Sequence, residues 1–304
     1  MTGGAGFIGA NLCRRLAEHA DIESVIVLDD LSTGSAANLD GLDVELVEGS
    51  ILDVGLLAKV TAAVTGIVHL AARPSVPRSL LDPVASHEVN ATGTLRVLEA
   101  ARTTGAHVVL ASSSSVYGGT PTLPKTEDLP TRPLSPYAVS KLATEAYAGA
   151  YTASFGLPTL AFRFFNVYGP LQAAGHAYAA VIPAFLDAAL RDAPLTVYGD
   201  GLQTRDFTYV GTVSEVLTDA VVRRVTAADP VNLAFGSRTT LLDVITRLER
   251  LLGRPVTAAH QPPRAGDIRD SQASQDRLRS LFPDVQPLSL DEGLSQTLAW
   301  FRSL

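Results

Sequence analysis

The chain has 304 residues, a formal net charge of -7 and one cysteine, Cys13. The length suits one large domain or two unequal domains that pack closely. The acidic balance argues against a broad surface for nucleic acid or anionic membranes, and a single cysteine excludes an internal disulfide and a cysteine-based zinc site.

No basic segment followed by an apolar run opens the sequence, and no stretch of about 18 uninterrupted apolar residues occurs. We therefore predict a cytoplasmic protein without a membrane segment, and we predict no metal site.

The first half alternates short β-branched runs with helix-like stretches. Leucine pairs mark two amphipathic helices, Leu12 with Leu16 and Leu95 with Leu98. The predicted buried strands are Ser24 to Leu28, Val44 to Val47, Ile67 to Leu70 and Val108 to Ala111. This alternation predicts an α/β fold with a Rossmann-type, doubly wound parallel sheet.

From about Pro170 the pattern loosens into shorter strands, such as Leu195 to Tyr198, and helices near 181–190, 212–224, 240–252 and 290–302. We predict an NAD-binding domain over 1–165 and a smaller α/β substrate region over 166–304, part of which packs back on the first domain. The glycine-rich turn directly follows Met1, so the central strand has almost no sequence. This leads us to expect a natural chain that begins several residues upstream.

Three glycines precede the first predicted helix in the segment TGGAGFIG. Gly3, Gly6 and Gly9 allow a tight turn whose N–H groups approach a pyrophosphate at a helix N-terminus. Asp29 follows twenty residues later, at the end of the next strand, where a carboxylate accepts hydrogen bonds from ribose hydroxyls and repels a 2'-phosphate. The pattern predicts NAD, not NADP. His69, at the end of another strand, is predicted to be a satisfied core residue.

Tyr137 and Lys141 form Y-x-x-x-K in the segment SPYAVSK, and Pro136 suits a helix start. The i, i+4 spacing places both side chains on one helical face. We expect the neighbouring ammonium and a positive nicotinamide ring to favour the tyrosinate, which could then remove a hydroxyl proton.

These segments, together with ARPSVPRS, ASSSSVYG, FRFFNVYGP, YAAVIP, GDGLQTRDFTYV and RAGDIRDS, resemble the extended short-chain dehydrogenase/reductase family, particularly its nucleotide-sugar 4-epimerases. The resemblance adds Ser113 to Tyr137 and Lys141 as the catalytic set. The remaining expected NAD contacts are Phe7, Ile8, Ser50, Ile51, Leu70, Ala71, Ala72 and Asn90.

Ser114 and Ser115 follow Ser113, where similar 4,6-dehydratases carry Asp and Glu, and this difference favours epimerisation. The resemblance assigns the nucleotide diphosphate of a UDP-sugar to Asn166, Arg205 and Arg264, with Val181 near the uracil. Ion pairs with Asp206 or Asp267 are the competing interpretation of the two arginines.

The resemblance also indicates which sugar fits. Ser271, four residues after Asp267, is small and predicts room for a 2-acetamido group. Ser114 and Ser115 could instead bind a C6 carboxylate, as in UDP-glucuronate 4-epimerases, although Leu171 replaces the Arg that many of those relatives carry. A homodimer is implied by resemblance only. A catalytically silent NAD-binding regulator is the alternative of a different class.

Overall fold

The computed structural model describes residues 1–175, 179–263 and 269–304. Its strands are β1 (Ile26–Asp29), β2 (Glu45–Glu48), β3 (Gly66–His69), β4 (His107–Ser113), β5 (Thr159–Phe164), β6 (Asn166–Tyr168), β7 (Leu195–Tyr198), β8 (Thr204–Arg205), β9 (Phe207–Tyr209), β10 (Val231–Leu233), β11 (Thr239–Thr240) and β12 (Ala258–Gln261).

Its α-helices are α1 (Phe7–Ala17), α2 (Val54–Thr61), α3 (Val76–Leu81), α4 (Pro83–His87), α5 (Gly93–Thr104), α6 (Pro136–Phe155), α7 (Val181–Leu190), α8 (Val210–Val222), α9 (Leu241–Leu252), α10 (Asp276–Leu281) and α11 (Leu290–Phe301). Within the described residues, none of these helices is long and apolar enough to cross a bilayer.

The main sheet is parallel and runs β2-β1, then Met1 and Thr2, then β3-β4-β5-β10. Thr2 bridges Leu28 on one side and His69 on the other, so two residues occupy the position of the central strand. Their backbone hydrogen bonds to both neighbours are 2.8–3.0 Å long. Counting this short segment first, the order from β2 to β5 is the 3-2-1-4-5-6 of a Rossmann sheet, and β10 adds a seventh parallel strand beside β5, which confirms the predicted fold class.

Helices cover both faces of this sheet, as right-handed crossovers between parallel strands require. One face packs against α1 and α8 through buried side chains such as Leu12, Leu16, Val213 and Leu217. The other face packs against α2, α5 and α6. Because α8 and β10 lie beyond residue 166, part of the second region completes the first.

The rest of the second region has its own core. Helices α7, α9 and α11 pack around apolar residues of β6 and β7, and β7 pairs with β12. The short pairs β6-β9 and β8-β11 lie beside this core, since β9 contacts α11 and β11 contacts α9.

Candidate active site

A cleft of about 350 Å³ opens at the carboxyl ends of the parallel strands. This edge is where open α/β sheets bind ligands, because the strand order reverses there and leaves a crevice between the crossover loops. The lining comes from the glycine-rich turn, from β1, β4, β5, α1 and α6, and from the segment that follows β3. Of the predicted site residues, the lining contains Gly3, Gly6, Phe7, Ile8, Gly9, Asp29, Leu70, Ala71, Ala72, Ser113, Tyr137 and Lys141.

The three glycines of the turn differ in what they do. Gly3 has a φ of +73°, and an added Cβ would lie 2.5 Å from the Ala71 nitrogen. A Cβ on Gly9 would lie 2.1 Å from the Gly3 oxygen. A Cβ on Gly6 would meet only that same oxygen, at 3.4 Å, within the cleft wall. Gly3 and Gly9 are thus required by the chain's own packing, whereas Gly6 keeps open the space that a pyrophosphate needs at the start of α1.

Asp29 connects the glycine-rich turn to the next strand. One carboxylate oxygen accepts the Ala5 N–H and the other accepts the Leu31 N–H, each at 2.9 Å. The side chain is buried, at the end of β1, and lines the cleft together with Asp30. Because a carboxylate oxygen can accept more than one hydrogen bond, Asp29 can hold the turn and still receive ribose hydroxyls.

The predicted catalytic residues come from one strand end and one helix start. Ser113 is the last residue of β4, and α6 begins at Pro136, where the Ser135 hydroxyl accepts the Ala138 N–H at 3.2 Å. This cap places Tyr137 in the first turn and Lys141 one turn later, both in the cleft wall. The structure therefore brings Ser113, Tyr137 and Lys141 together.

Burial is the largest influence on the pKa values of Tyr137 and Lys141. Loss of solvent raises the pKa of the Tyr137 phenol above its usual value, and a hydrogen bond with Ser113 acts in the opposite direction. Burial lowers the pKa of Lys141 to about 8, and its ammonium donates to the Ala111 carbonyl at 2.8 Å. In the protein alone, burial is the largest influence on the Tyr137 phenol, and the Lys141 ammonium donates to a strand carbonyl; stabilisation of the tyrosinate by Lys141 stays a prediction.

His69 is a core residue, as predicted. Its Nδ1 lies 2.7 Å from the Thr2 hydroxyl and its Nε2 lies 3.0 Å from the Thr94 hydroxyl. Burial, with a smaller contribution from Lys141, lowers its pKa to about 3. The ring is neutral at physiological pH and serves the packing of the central strand.

Three predicted NAD contacts do not line the cleft. Ser50 accepts the Leu52 N–H in the turn after β2, and Ile51 is buried in the apolar core under α5. The Asn90 side chain binds the backbone of Arg73 and the Ser140 hydroxyl at 2.7–3.3 Å. Asn90 thus holds the segment after β3 against α6.

The predicted substrate residues that the structure describes lie outside the lining of the cleft. Three of them lie around the segment 204–206, namely Asn166, Arg205 and Ser271. The Asn166 N–H donates to the Asp206 carbonyl at 3.1 Å, and the Ser271 N–H donates to the Thr204 carbonyl at 3.2 Å. Val181 is the first residue of α7. None of these four lines the cleft as described, and Arg264 and Asp267 lie outside the described residues.

The competing interpretation of Arg205 as a partner of Asp206 does not match the contacts of Asp206. That buried carboxylate accepts N–H groups of Gly236, Ser237 and Ala273 and the Ser237 hydroxyl, at 2.9–3.1 Å. Arg205 donates to the carbonyls of Thr204 and Arg269.

Ser114 and Ser115 form the short 3₁₀ turn after β4, outside the cleft lining. The Ser115 N–H donates to the Ser113 hydroxyl at 3.2 Å, which keeps the turn tight against the strand end.

Sequence reasoning missed about half of the lining. The additional residues are Asp30, Ser32, Thr33, Pro74, Val89, Ala111, Ser112, Phe164, Phe165, Val167 and Gln172. Most of them follow the carboxyl ends of β1, β3, β4 and β5. The rule that ligands bind at those ends would have indicated them, although not which side chains face inward.

Comparisons with known proteins agree with this architecture. Residues 1–234 match the sequence profile of the NAD dependent epimerase/dehydratase family. The chain belongs to this family. A UDP-glucose 4-epimerase of Mycolicibacterium smegmatis is 38% identical over 318 residues, which cover 100% of this chain and 98% of the relative.

Solved structures of the family superpose on almost the whole chain. A UDP-N-acetylglucosamine 4-epimerase from Methanobrevibacter ruminantium, in complex with UDP-N-acetylmuramic acid, has a TM-score of 0.93 at 32% identity and covers 99% of this chain and 97% of its own. The UDP-glucose 4-epimerase of Thermus thermophilus, in complex with NAD, has a TM-score of 0.89 at 34% identity with the same coverage. Other matches are named as a UDP-glucuronate 4-epimerase and a dTDP-glucose 4,6-dehydratase.

This family member is therefore an NAD-dependent enzyme. The open space at Gly6, the Asp29 carboxylate at the end of β1 and the start of α1 are the features of the cleft that fit the cofactor.

Proposed function

We propose that this enzyme inverts C4 of a UDP-hexose through a transient 4-keto sugar. The observation that carries the proposal is where the catalytic candidates and the carboxylates lie along the cleft. Ser113, Tyr137 and Lys141 meet at the ends of β4 and α6, whereas the carboxylates in the described lining are Asp29 and Asp30, next to the glycine-rich turn. Among the described lining residues, the end of the cleft with Ser113, Tyr137 and Lys141 thus offers a base and no carboxylic acid for elimination of water.

The turn after Ser113 supports the same reaction. Ser114 and Ser115 stand where the similar dehydratases carry an acidic pair, and neither serine can act as a carboxylic acid. A 4-keto sugar formed here keeps its C5 and C6 substituents. Return of hydrogen to C4 is then the remaining route, and its outcome is epimerisation.

The residues divide the proton chemistry between them. When bound, NAD supplies a hydride acceptor that also returns the hydride to C4. Tyr137 takes the proton of the 4-hydroxyl and gives it back at the end of the cycle. Ser113 donates to the same oxygen and holds it beside the phenol. Lys141, protonated below its pKa of about 8, fixes the end of β4 through the Ala111 carbonyl and adds positive charge near the phenolate.

We propose that Asn166, Arg205, Arg264 and Ser271 bind the UDP part and the sugar, with Val181 near the uracil. Guanidinium groups give planar, permanently charged donors for phosphate oxygens. The small Ser271 favours acceptance of the N-acetylated sugars beside UDP-glucose and UDP-galactose. Leu171 weakens the alternative of UDP-glucuronate.

We also propose that the enzyme acts in the cytoplasm as a homodimer, with α5 and α6 in the interface. Four large apolar side chains are exposed near the start of α6: Leu80, Leu81, Val84 and Val139. Such an exposed apolar patch is typical of a subunit contact.

The decisive experiment incubates the purified protein separately with UDP-glucose, UDP-N-acetylglucosamine and UDP-glucuronate, without added NAD. We expect the 4-epimer of at least one sugar to accumulate to equilibrium, with no net NADH, because the hydride returns to the carbon that lost it. A need for stoichiometric NAD would instead indicate a dehydrogenase. No product from any sugar would favour the alternative of a silent NAD-binding regulator.

A further inference from the structure

Three polar side chains form a row near the carboxyl ends of β4 and β5 and in β10. Ser112 of β4 is the register partner of Arg163 in β5, and Arg163 is the register partner of Asn232 in β10. Register partners in adjacent parallel strands point to the same face. All three side chains are almost fully buried. The row begins one residue before Ser113.

Glu145 of α6 lies over this row, one turn beyond Lys141. Its carboxylate binds the Arg163 guanidinium in a bidentate pair, with N–O distances of 2.9 Å and 2.8 Å. The Ser112 hydroxyl donates to the same carboxylate at 2.5 Å. Glu145 therefore joins the catalytic helix to two strands of the sheet at one point.

The row continues toward the second region through Tyr117. Its hydroxyl accepts from Arg163 at 2.9 Å and donates to the Asn232 side chain at 2.7 Å. The Arg163 guanidinium also lies 4.7 Å from the centre of the Tyr117 ring. The Asn232 amide donates to the Lys125 carbonyl at 2.8 Å. Strand β10, which comes from the second region, is thereby tied to the same cluster.

A buried ion pair is a poor way to gain stability, because removing both charges from water costs about as much as their attraction returns. Its bidentate hydrogen bonds do fix distance and angle between the elements that carry it. Here those elements are α6 and β5, and Ser112 of β4 bonds the same carboxylate. Ser112 stands between Ala111, whose carbonyl binds the Lys141 ammonium, and Ser113, which bonds the Tyr137 phenol.

We propose that Glu145, paired with Arg163 and acting through Ser112, is a positioning residue that holds Ser113 and the Ala111 carbonyl in register with Tyr137 and Lys141. This inference rests on the proposed role of those residues in the reaction. Loss of the link lets the end of β4 shift against α6, which lengthens the contact between Ser113 and the Tyr137 phenol.

Ser112→Ala in the NAD-loaded protein is the main test, because it leaves the buried ion pair intact. We expect kcat to fall about 10- to 100-fold, as for a small misplacement of reacting groups, with KM and bound NAD nearly unchanged. The pKa of Tyr137 should rise further, because the hydrogen bond with Ser113 that favours the phenolate is weakened. This pKa is read from phenolate absorbance during a pH titration, as the difference from Tyr137→Phe. The pH below which kcat falls should rise as well.

Thr159→Val is the matched control. The Thr159 hydroxyl also joins α6 to the sheet, through Thr152 at 2.8 Å, but Thr159 is the first residue of β5, at the opposite end of the strand from the cleft. This variant should keep kcat and the Tyr137 pKa. Glu145→Gln is a second variant, and where it folds it should reproduce the Ser112→Ala changes.

Failure of the proposed function and failure of the positioning proposal give different results. If the wild-type protein converts none of the sugars, the proposed function is wrong, while the Tyr137 titration still tests the positioning role. If Ser112→Ala keeps both the Tyr137 pKa and, where turnover is measurable, the wild-type kcat, the positioning proposal is overturned.

Discussion

Tyr137 and Lys141 share one helical face but experience different surroundings. Burial raises the pKa of the phenol and lowers the pKa of the amine to about 8, because low polarity disfavours both charged forms. At neutral pH the protein alone therefore holds a neutral tyrosine and a protonated lysine. We expect the positive charge of oxidised NAD to favour the phenolate of the proposed base, which would couple cofactor binding to base activation.

Tyr137→Phe tests the proposed base directly. We expect turnover to fall by at least about 100-fold, within the usual effect of a positioned acid or base, while bound NAD is retained. Tyr147→Phe is the control on the same helix, since Tyr147 is 36% exposed. Initial rates and the NAD released on denaturation measure both effects. Unchanged turnover in Tyr137→Phe would remove this residue from the mechanism.

His69 gives a pH dependence to stability rather than to activity. Its pKa of about 3 in the fold lies below its ordinary value of 6.5, so between these values the unfolded chain binds a proton that the folded chain does not. Stability from this residue is complete above pH 6.5 and is lost as the pH falls toward 3. By pH 4 the loss amounts to about 3 kcal/mol, at roughly 1.4 kcal/mol per unit.

Urea unfolding of wild-type protein and His69→Gln at pH 7 and pH 4 measures this loss. The wild-type protein should lose about 3 kcal/mol more than the variant over this interval. His87→Gln changes an exposed histidine and should behave as the wild type does. Equal losses in the wild type and His69→Gln would contradict the prediction.

At the scale of elements, the turn before α1 combines packing and binding in one segment. Gly9 is enclosed by the chain itself, whereas Gly6 has open space above it. Helix α8 begins after Tyr209 without a side-chain cap. Packing on α1 and the sheet holds its first turn instead.

Alanine substitutions separate these two glycine roles. Gly6→Ala should fold with nearly the wild-type Tm in the NAD-free form but carry much less NAD, because its methyl group occupies cofactor space. Gly9→Ala should lose both stability and NAD, since its Cβ would lie 2.1 Å from the Gly3 oxygen. Gly149→Ala, with no atom within 4 Å, should keep NAD and gain about 0.5–1 kcal/mol of stability. Equal Tm losses in Gly6→Ala and Gly9→Ala would contradict this division.

At the scale of the whole molecule, segments that are far apart in the chain lie next to each other in the fold. The second region returns to the main sheet through β10 and covers one face with α8, so the two regions share a core. The cleft is formed where the first region's strand ends meet the segment that follows β5. A substitution in either region can therefore alter the positions of the proposed catalytic residues.

The proposed dimer is tested through the exposed apolar patch. Leu81 is 75% exposed, Val84 70% and Val139 51%, and Pro83 and Pro136 line a hollow beside Val84 and Val139. Val139→Glu should convert a dimer into a monomer, because a buried unpaired carboxylate opposes association. Val54→Glu places the same charge on an exposed valine of α2 and should not. Sedimentation equilibrium measures the mass, and a wild-type monomer would refute the dimer.

The sequence alone determined the sheet, the glycine-rich turn and the pair Tyr137 and Lys141, because each depends on local chemistry. Periodicity predicts strands and helices, glycines permit the turn, and i, i+4 spacing places two side chains on one face. Only the tertiary structure decided that Lys141 binds the Ala111 carbonyl, that Asn90 faces α6 rather than the cleft, and that Ser112, Arg163 and Asn232 form one row. Those relations depend on strand register and on contacts between residues far apart in the chain, which no local pattern specifies.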